Sequence, residues 1–354
     1  MRIGKYENER GMWNMAIGIS NELLGLMQNQ FGDKFKKTKL TDSLQGQMII
    51  IAGGNSLGKT KQCANFPNPI FLCVEDGTNG LSNAGALPVN SWNDITSYMR
   101  KFKKKEFKEL LDQGVEITLI IDGAEGLGML AQDYVCSNAG KTKISEIPHG
   151  AGWKDYEVEV ERFASGLKGM GYTVVLIFHE VEDKNGKRVM KGDWRTTDPF
   201  RNKADITVHL ESNGVDDEGN VIPSSAYMYE TPEFFGRTRF EYMDTYLEEF
   251  TAENLIKAYR EGIRKQAEAE GAELVTFKEQ HKTYETEEED FETVKKEIQE
   301  LMEQIPEESS EEDELFDKIE ELFGDGFQLR DVTKRHLQGL VELRNWLKED
   351  LLDR

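Results

Sequence analysis

The chain has 354 residues, 38% of them hydrophobic and 31% charged, and a formal net charge of −22. This length suffices for one large α/β domain with appendages. No segment predicts a transmembrane helix, the first ten residues lack the apolar core of a signal peptide, and Cys63, Cys73 and Cys136 lack metal-ligand spacing, so we expect reduced thiols in a cytoplasmic protein.

The negative charge is concentrated near the C-terminus. Residues 1–260 carry 31 Lys and Arg against 37 Asp and Glu, a net of −6, whereas residues 261–354 carry 13 against 29, a net of −16. Because acidic segments repel nucleic acid, this region predicts a protein partner or autoinhibition rather than DNA contact. A solvated acidic face without a specific role is the alternative.

The N-terminal extension, residues 1–45, contains a predicted helix over residues 11–28. Its apolar positions recur at roughly helical spacing: Trp13, Ala16, Ile17, Leu23, Leu24 and Met27. We expect this stripe to pack on the protein's own core; contact with a neighbouring protomer is the alternative.

A glycine-rich motif follows the apolar segment 48–52. Its spacing, Gly53-x-x-x-x-Gly58-Lys59-Thr60, is that of a phosphate-binding P-loop, in which backbone N–H groups surround phosphate oxygens. The lysine is expected to reach the β- and γ-phosphates of ATP and the threonine to hold Mg²⁺. Gly54, Asn55, Ser56 and Leu57 complete the predicted nucleotide-binding loop. A purely structural glycine turn is the alternative.

Apolar strands alternate with helices through residues 46–265. Strands are predicted at 70–74, 115–121 and 172–178, and helices from Ser91, with Asp94 completing a capping box, at 156–170 and at 255–269. In the helix at 156–170, Val158, Phe163 and Leu167 are its apolar positions. Continuous apolar strands indicate a parallel sheet covered on both faces. Residues 204–210 and 226–230 predict an antiparallel pair that extends it.

Acidic side chains follow two of these strands. Asp122 ends the strand 115–121, where a carboxylate beside the P-loop can hold Mg²⁺; an ordinary strand-end turn is the alternative. Glu75 follows the strand 70–74, where it can orient and activate the attacking water. Asp76 and Glu125 are the other candidates for that base, and the sequence leaves the choice open.

Three further residues are candidates for sensing or stabilising phosphate charge. His179 ends the strand 172–178 and can sense the γ-phosphate, although a packing or capping histidine is the alternative. Arg237 and Arg239 alternate along a predicted strand and therefore face the same way. They can act as charge-stabilising fingers in a neighbour's site; an exposed pair that favours solubility is the alternative.

A basic hairpin is predicted from His179 to Arg195, with Asn185-Gly186 at its turn. Its cations can meet phosphates and its tryptophan can stack on a base; a solvated basic hairpin is the alternative. The candidate nucleic-acid residues are Lys184, Lys187, Arg188, Lys191, Trp194 and Arg195. A second basic loop, residues 138–143 to Trp153 and Lys154, is expected to line the same groove.

The remaining sequence predicts a charged linker at residues 266–290 and an acidic helical region at 291–354. Residues 283–290 are almost wholly polar, which is typical of a linker. Beyond them, three helix-like segments span residues 291–304, 311–323 and 331–351. We expect them to form a small helical unit.

Taken together, these motifs resemble the RecA/RadA-like P-loop ATPases. The closer resemblance is to a phage nucleotide-binding group that keeps a single RecA core and includes single-strand annealing recombinases. It covers about residues 45–260 and is carried by the P-loop, the segment 71–81 with Glu75, the strand ending in Asp122, the segment 148–153, the strand ending in His179 and the arginines before Phe240. Asn55 and Leu57 depart from the more glycine- or proline-rich loop of the family.

The resemblance implies a RecA-like core with a mainly parallel sheet, ATP and Mg²⁺ as cofactors, and the position of Glu75 as the hydrolytic base. It also implies that residues 138–154 and 180–200 face a DNA path and that Arg237 and Arg239 act across subunits. We therefore expect a self-associating phage ATPase that acts on single-stranded DNA in recombination or annealing. The alternative is a nucleotide-switched loader or adaptor whose acidic tail recruits a single-strand-binding or other replication protein.

Overall fold

The computed structural model describes residues 19–32, 35–75, 77–82, 84–282, 291–306, 309–324 and 326–351. They form two compact units, one containing the described residues up to 282 and the other those from 291 onward. In this part of the chain, no helix is both long and apolar enough to span a bilayer.

The first unit is built on one mixed sheet. Its strands are β1 (Met48–Gly53), β2 (Pro69–Cys73), β3 (Gly85–Pro88), β4 (Thr118–Asp122), β5 (Thr173–Glu182), β6 (Arg188–Met190), β7 (Ile206–Glu211), β8 (Ser225–Tyr227), β9 (Arg237–Thr238) and β10 (Tyr246–Leu247). The order β3-β2-β4-β5-β1-β7 is parallel throughout, whereas β8, β10, β9 and β6 pair antiparallel. The predicted α/β fold with an antiparallel extension is confirmed.

Helices cover both faces of this sheet. The helices of the first unit are α1 (Asn21–Phe31), which does not pack on the sheet, α2 (Lys59–Cys63), α3 (Trp92–Phe102), α4 (Lys105–Asp112), α5 (Leu127–Asn138), α6 (Ala151–Lys168), α7 (Trp194–Lys203), α8 (Ala252–Glu270) and α9 (Phe277–His281). Alternate residues of β1 point to opposite faces, so Ile50 packs in the core that contains α3, α5 and α6, and Ile51 in the core that contains α8. All six residues of β1 are buried because both faces are covered.

Several predicted elements differ in detail. The hydroxyl of Ser91 caps α3 as expected, but the carboxylate of Asp94 accepts from the N–H of Asn90, so the capping box is incomplete. Val158 is 37% exposed and is not part of the α6 core face. The hairpin β5–β6 ends at Met190; Asp193 caps α7 by accepting from the N–H of Arg195.

The segments outside the sheet also depart from expectation. Residues 11–18 of the predicted N-terminal helix lie outside the described residues, and α1 buries no residue, so packing of its described part on the core is wrong. Residues 271–282, predicted as linker, instead pack on the core: the N–H of Val275 donates to the carbonyl of Leu40 at 2.9 Å, and Phe277 lies against Gly46. Residues 283–290 of that linker lie outside the described residues.

The second unit consists of α10 (Phe291–Met302), α11 (Ser310–Phe323) and α12 (Leu337–Trp346), followed by a π-helical turn, Leu347–Leu351. Each helix contributes to a separate apolar core, represented by Val294 of α10, Ile319 of α11 and Leu343 of α12. Helices α10 and α11 correspond to the predicted segments 291–304 and 311–323, whereas the predicted segment 331–351 is divided into short 3₁₀ turns, α12 and the π-helical turn.

Candidate functional site

The predicted P-loop connects the carboxyl end of β1 to α2. Ser56 and Gly58 both have positive φ, 62° and 76°, which turns the loop sharply into the helix. Leu57 departs from the usual glycine- or proline-rich motif, and its side chain occupies space that glycine at position 53 leaves open. A Cβ at Gly53 would lie 2.8 Å from the Leu57 side chain and 3.1 Å from Leu210. Leu57 is partly buried against the core that includes Leu210 of β7, and Gly53 leaves space for its side chain.

Lys59 lies inside this loop and is 6% exposed. Its ammonium donates to the carbonyl oxygens of Gly53, at 3.0 Å, and Gly54, at 2.5 Å. Burial lowers the pKa of Lys59, and the nearby carboxylates of Glu125 and Asp122 oppose that effect. The cation is therefore positioned within the phosphate-binding loop by backbone oxygens that an anionic ligand can replace.

Thr60 and Asp122 meet at the carboxyl edge of the sheet. The Thr60 hydroxyl donates to Oδ2 of Asp122 at 3.1 Å, and Asp122 is 4% exposed. Burial raises the pKa of Asp122, while the hydrogen bond from Thr60 acts in the opposite direction. A hydroxyl and a carboxylate are the hard oxygen ligands that Mg²⁺ prefers, so this pair fits that ion. A Cβ at Gly77 would lie 2.4 Å from Oδ2, so glycine keeps this space open.

Glu75, Glu125 and His179 converge next to this pair. One ligand atom from each lies within 4.8 Å of the others. His179 Nδ1 lies 2.7 Å from Oε1 of Glu125, whose other oxygen accepts from the His179 backbone N–H at 3.4 Å. Glu75 is exposed and lies over Gly123, where a Cβ would be 2.5 Å from the Glu75 side chain. Of the three base candidates, Asp76 lies outside the described residues.

A second carboxylate–imidazole pair was not predicted. Glu180 Oε1 lies 2.9 Å from Nδ1 of His209, which is fully buried, and the imidazole stacks on Phe234 with 4.1 Å between ring centroids. Glu180 also contributes to the electrostatic environment of Lys59. The sequence signal was a histidine within the apolar strand 206–210, but nothing local identifies its partner.

The predicted nucleic-acid residues divide into two groups. Lys184, Arg188 and Lys191 are exposed on or beside the β5–β6 hairpin, whereas Lys187 pairs with Glu230 at 2.7 Å. The exposed cations therefore form a basic surface on the hairpin.

The other group lies at the start of α7. The guanidinium of Arg195 lies over the rings of Trp153, at 4.9 Å, and Trp194, at 4.4 Å, and pairs with Asp193. Trp153 of the predicted second loop and Trp194 and Arg195, the last residues of the predicted basic hairpin, are thus brought together. An adjoining cavity of about 440 Å³ is lined by Lys154, Arg162, Trp194 and Arg195, and also by Glu157, Glu161 and Asp198.

The start of α7 is connected directly to the phosphate end of the site. The N–H of Lys191 donates to the carbonyl of His179 at 2.8 Å. Gly192 has a φ of 133°, and a Cβ there would lie 3.7 Å from Cβ of Glu125. The chain between the hairpin and Trp194 therefore lies over the Glu125–His179 pair.

Arg237 and Arg239 lie at the opposite edge of the sheet. Arg237 aligns with Thr207 in β7, and its guanidinium donates to the carbonyl of Ala204 at 3.3 Å. Arg239 donates to the carbonyl of Asn202 at 2.7 Å and pairs with the buried Asp205. The groups that the two guanidiniums contact, at residues 202–205, precede β7. The guanidiniums therefore lie toward the amino end of the parallel strands, whereas the P-loop follows the carboxyl end of β1, so neither arginine completes its own chain's site.

Comparisons with known proteins identify the family of this chain. The model of the family described as "AAA domain" matches residues 45–240. The SPbeta prophage-derived uncharacterized protein YorG of Bacillus subtilis (strain 168) is 41% identical over 247 residues, 69% of this chain and 75% of that protein. The crystal structure of a KaiC-like protein from Pyrococcus horikoshii OT3 aligns with 53% of this chain and 81% of its own, at 11% identity and a TM-score of 0.30.

Proposed function

Because the chain belongs to the AAA domain family and carries a P-loop nucleotide-binding site, we propose that it is an ATPase that acts on single-stranded DNA in recombination or annealing. The proposal rests on the contacts that connect the nucleotide site to a surface with aromatic and cationic side chains. Lys191 and Gly192 join the Glu125–His179 pair to Trp194.

In this proposal each residue of the nucleotide site has a distinct role. Gly53, Gly54, Asn55, Ser56, Leu57 and Gly58 form the phosphate-binding loop, and Lys59 neutralises phosphate charge. Thr60 and Asp122 would hold Mg²⁺, which shields that charge when it is bound.

The attacking water is assigned to Glu75. Both oxygens of Glu125 contact His179, whereas the Glu75 carboxylate has no hydrogen-bond partner among the described residues. Glu75 is therefore the carboxylate with oxygens available to accept a proton from water. His179, held by Glu125, senses the γ-phosphate.

The DNA surface consists of the exposed hairpin cations Lys184, Arg188 and Lys191 and the half-exposed ring of Trp194. Cations on an exposed hairpin suit a phosphate backbone, and an exposed indole suits an unpaired base. Lys187 and Arg195 already form ion pairs within the chain, with Glu230 and Asp193. In this proposal they therefore stabilise the DNA surface and are not its first contacts with DNA. In this proposal, the binding or loss of phosphate changes the contacts of His179, and Gly192 transmits this change to the DNA surface.

Arg237 and Arg239 are assigned to a neighbouring protomer's site. Three carboxylates, those of Asp122, Glu125 and Glu180, act on Lys59, and Glu75 lies near Asp122, so an entering triphosphate needs further cations. A neighbour that presents these arginines would supply them. The proposal therefore includes self-association. By analogy with the prophage relative, it places the protein in the cytoplasm of a phage-infected bacterium.

The test is ATP hydrolysis with and without single-stranded DNA at low salt, for the wild-type protein and Lys59→Ala. Stimulation by DNA that disappears in the variant supports the proposal. Turnover that ignores DNA contradicts the DNA role and favours the second candidate, a nucleotide-switched loader or adaptor. That candidate is favoured by one observation, the compact second unit with the acidic helix α11. Tail-dependent capture of a single-strand-binding or other replication protein, with negligible turnover, would support it.

A further inference from the structure

Helix α11 presents an acidic ridge with one aromatic residue at its centre. Phe316 is 59% exposed, the most exposed large apolar side chain in the described part of the second unit. Asp313, Asp317 and Glu320, at helical positions next to Phe316, are also exposed. We call these four residues the acidic ridge. A single exposed aromatic side chain is common on protein surfaces, but its position among carboxylates gives this face of α11 both an apolar anchor and negative charge.

A pocket of the opposite character lies elsewhere in the same unit. Ile298 and Met302 of α10 and Leu340 of α12 line a cavity of about 280 Å³. Lys295 and Arg330 stand at its rim. Within the described residues Lys295 has no ion pair, and the contact of Arg330 with Asp331 is long, at 4.0 Å. We call this cavity the basic-rimmed pocket. Its size, slightly below the roughly 300–1,000 Å³ of small-ligand pockets, suits one large side chain.

The ridge and the pocket carry opposite charges, and the ridge offers an apolar side chain to an apolar cavity, but they cannot meet within one chain. Leu315 and Ile319 fix α11 in the core of the unit, 4% and 6% exposed, so the helix cannot turn Phe316 into the pocket of its own unit. A second chain has no such constraint. Its phenylalanine can enter the pocket while its aspartates approach the two rim cations.

We propose that the acidic ridge of one chain binds the basic-rimmed pocket of a second copy. The contact uses two different surfaces, so each chain in a series keeps one free ridge and one free pocket, and the series closes into a ring or continues as a filament. The inference concerns the second unit and does not depend on the proposed ATPase function.

Sedimentation velocity of the full-length protein over a range of concentrations, without nucleotide or DNA, tests the proposal. Phe316→Ser and the double variant Lys295→Glu/Arg330→Glu should each weaken association at least tenfold. Val221→Ser, at an even more exposed apolar residue of the first unit, and Lys296→Glu, beside Lys295 but paired with Glu300, should associate like the wild type. Unchanged melting temperatures show that the exposed substitutions leave the fold intact.

A mixing experiment separates this contact from any self-association through the first unit. Phe316→Ser keeps an intact pocket and Lys295→Glu/Arg330→Glu keeps an intact ridge, so an equimolar mixture should form a one-to-one complex that grows no further. Association that both variants retain in full, or a mixture in which no such complex forms, would overturn the proposal. A wild-type chain that stays monomeric while an acidic, phenylalanine-containing peptide from another protein fills the pocket would also overturn it.

Discussion

The carboxylate of Glu125 contacts His179 twice, once at the imidazole Nδ1 at 2.7 Å and once at the backbone N–H at 3.4 Å. The double contact fixes both the ring and the end of β5. It leaves Nε2 as the ring nitrogen that can respond to a ligand, because the other nitrogen is already engaged. A change in the position of the imidazole therefore also affects the position of the backbone that leads into the hairpin.

We expect Glu75→Gln to abolish ATP turnover while ATP binding is retained, because the amide cannot accept a proton from the attacking water. Glu125→Gln should lower turnover less, by roughly ten- to a hundredfold, because it loosens His179 without removing the base. Single-turnover hydrolysis and equilibrium binding of a fluorescent ATP analogue measure the two effects. The reverse ranking would assign the base to Glu125.

Replacement of Lys59 should eliminate turnover. Lys59→Ala removes the only lysine inside the phosphate-binding loop, and a loss of at least 10²–10³-fold is expected for a group that stabilises phosphate charge. Lys61→Ala, two residues later on the exposed side of α2, is the matched control and should hydrolyse ATP normally. Activity of Lys59→Ala close to that of the wild type would show that the loop is not the nucleotide site.

The raised pKa of Asp122 predicts an acid limb in the pH profile. Its carboxylate takes up a proton at a pH above the usual range of aspartate, and the neutral form is a poor Mg²⁺ ligand. ATP turnover at fixed Mg²⁺ should therefore decline as pH falls through this raised pKa. If ATP turnover stays constant until the pH reaches the ordinary pKa range of an exposed carboxyl group, the result would argue against Asp122 as the metal ligand.

The raised pKa of Asp122 also predicts that Asp122→Asn stabilises the nucleotide-free protein. Because the pKa of Asp122 is higher in the folded than in the unfolded state, its contribution to stability is present at low pH and is lost as pH rises through the folded-state pKa. At neutral pH the amide should therefore raise the free energy of unfolding by about 1 kcal/mol, roughly 2–4 °C in Tm. Asp133→Asn, at an exposed position of α5, is the control for thermal unfolding. A lower Tm for Asp122→Asn would contradict this reasoning.

Trp194→Ala should weaken binding of single-stranded DNA by about 1–3 kcal/mol, the usual contribution of one stacked base. The ring is 53% exposed, so its removal should not affect folding. Fluorescence anisotropy with a labelled oligonucleotide at several salt concentrations measures affinity; the salt slope should be unchanged, because no phosphate contact is lost. Tyr242→Ala, at an exposed tyrosine elsewhere, is the control. Equal affinities for both variants would remove Trp194 from the DNA surface.

The parts of the site that depend on strand ends were predictable from sequence. Parallel strands end at one edge of the sheet, so the polar residues that follow them, Glu75, Asp122 and His179, had to converge there once the strands were recognised. Their predicted chemical roles, in contrast, depend on contacts with other groups. The sequence did not select between Glu75 and Glu125, because the contact of Glu125 with His179 joins elements 54 residues apart.

Other features were missed for physical reasons. The Glu180–His209 pair joins residues of β5 and β7 that are separated by β1 in the sheet, so no local pattern contains it. Helix α7 was not predicted: the predicted hairpin included its first two residues, Trp194 and Arg195, and Pro199 within it is a residue that usually argues against a helix. The capping side chain of Asp193 was the signal that could have located its start.

Arg237 and Arg239 lie at the edge of the sheet opposite to the P-loop. An assembly in which these arginines complete a neighbour's site must therefore place one chain's amino edge against the next chain's carboxyl edge. Such an assembly has direction: one terminal chain exposes an incomplete nucleotide site, and the other exposes unused arginines. Chains would then add and leave at the two ends at different rates, and ATP hydrolysis would be slower at the end whose site lacks its arginines.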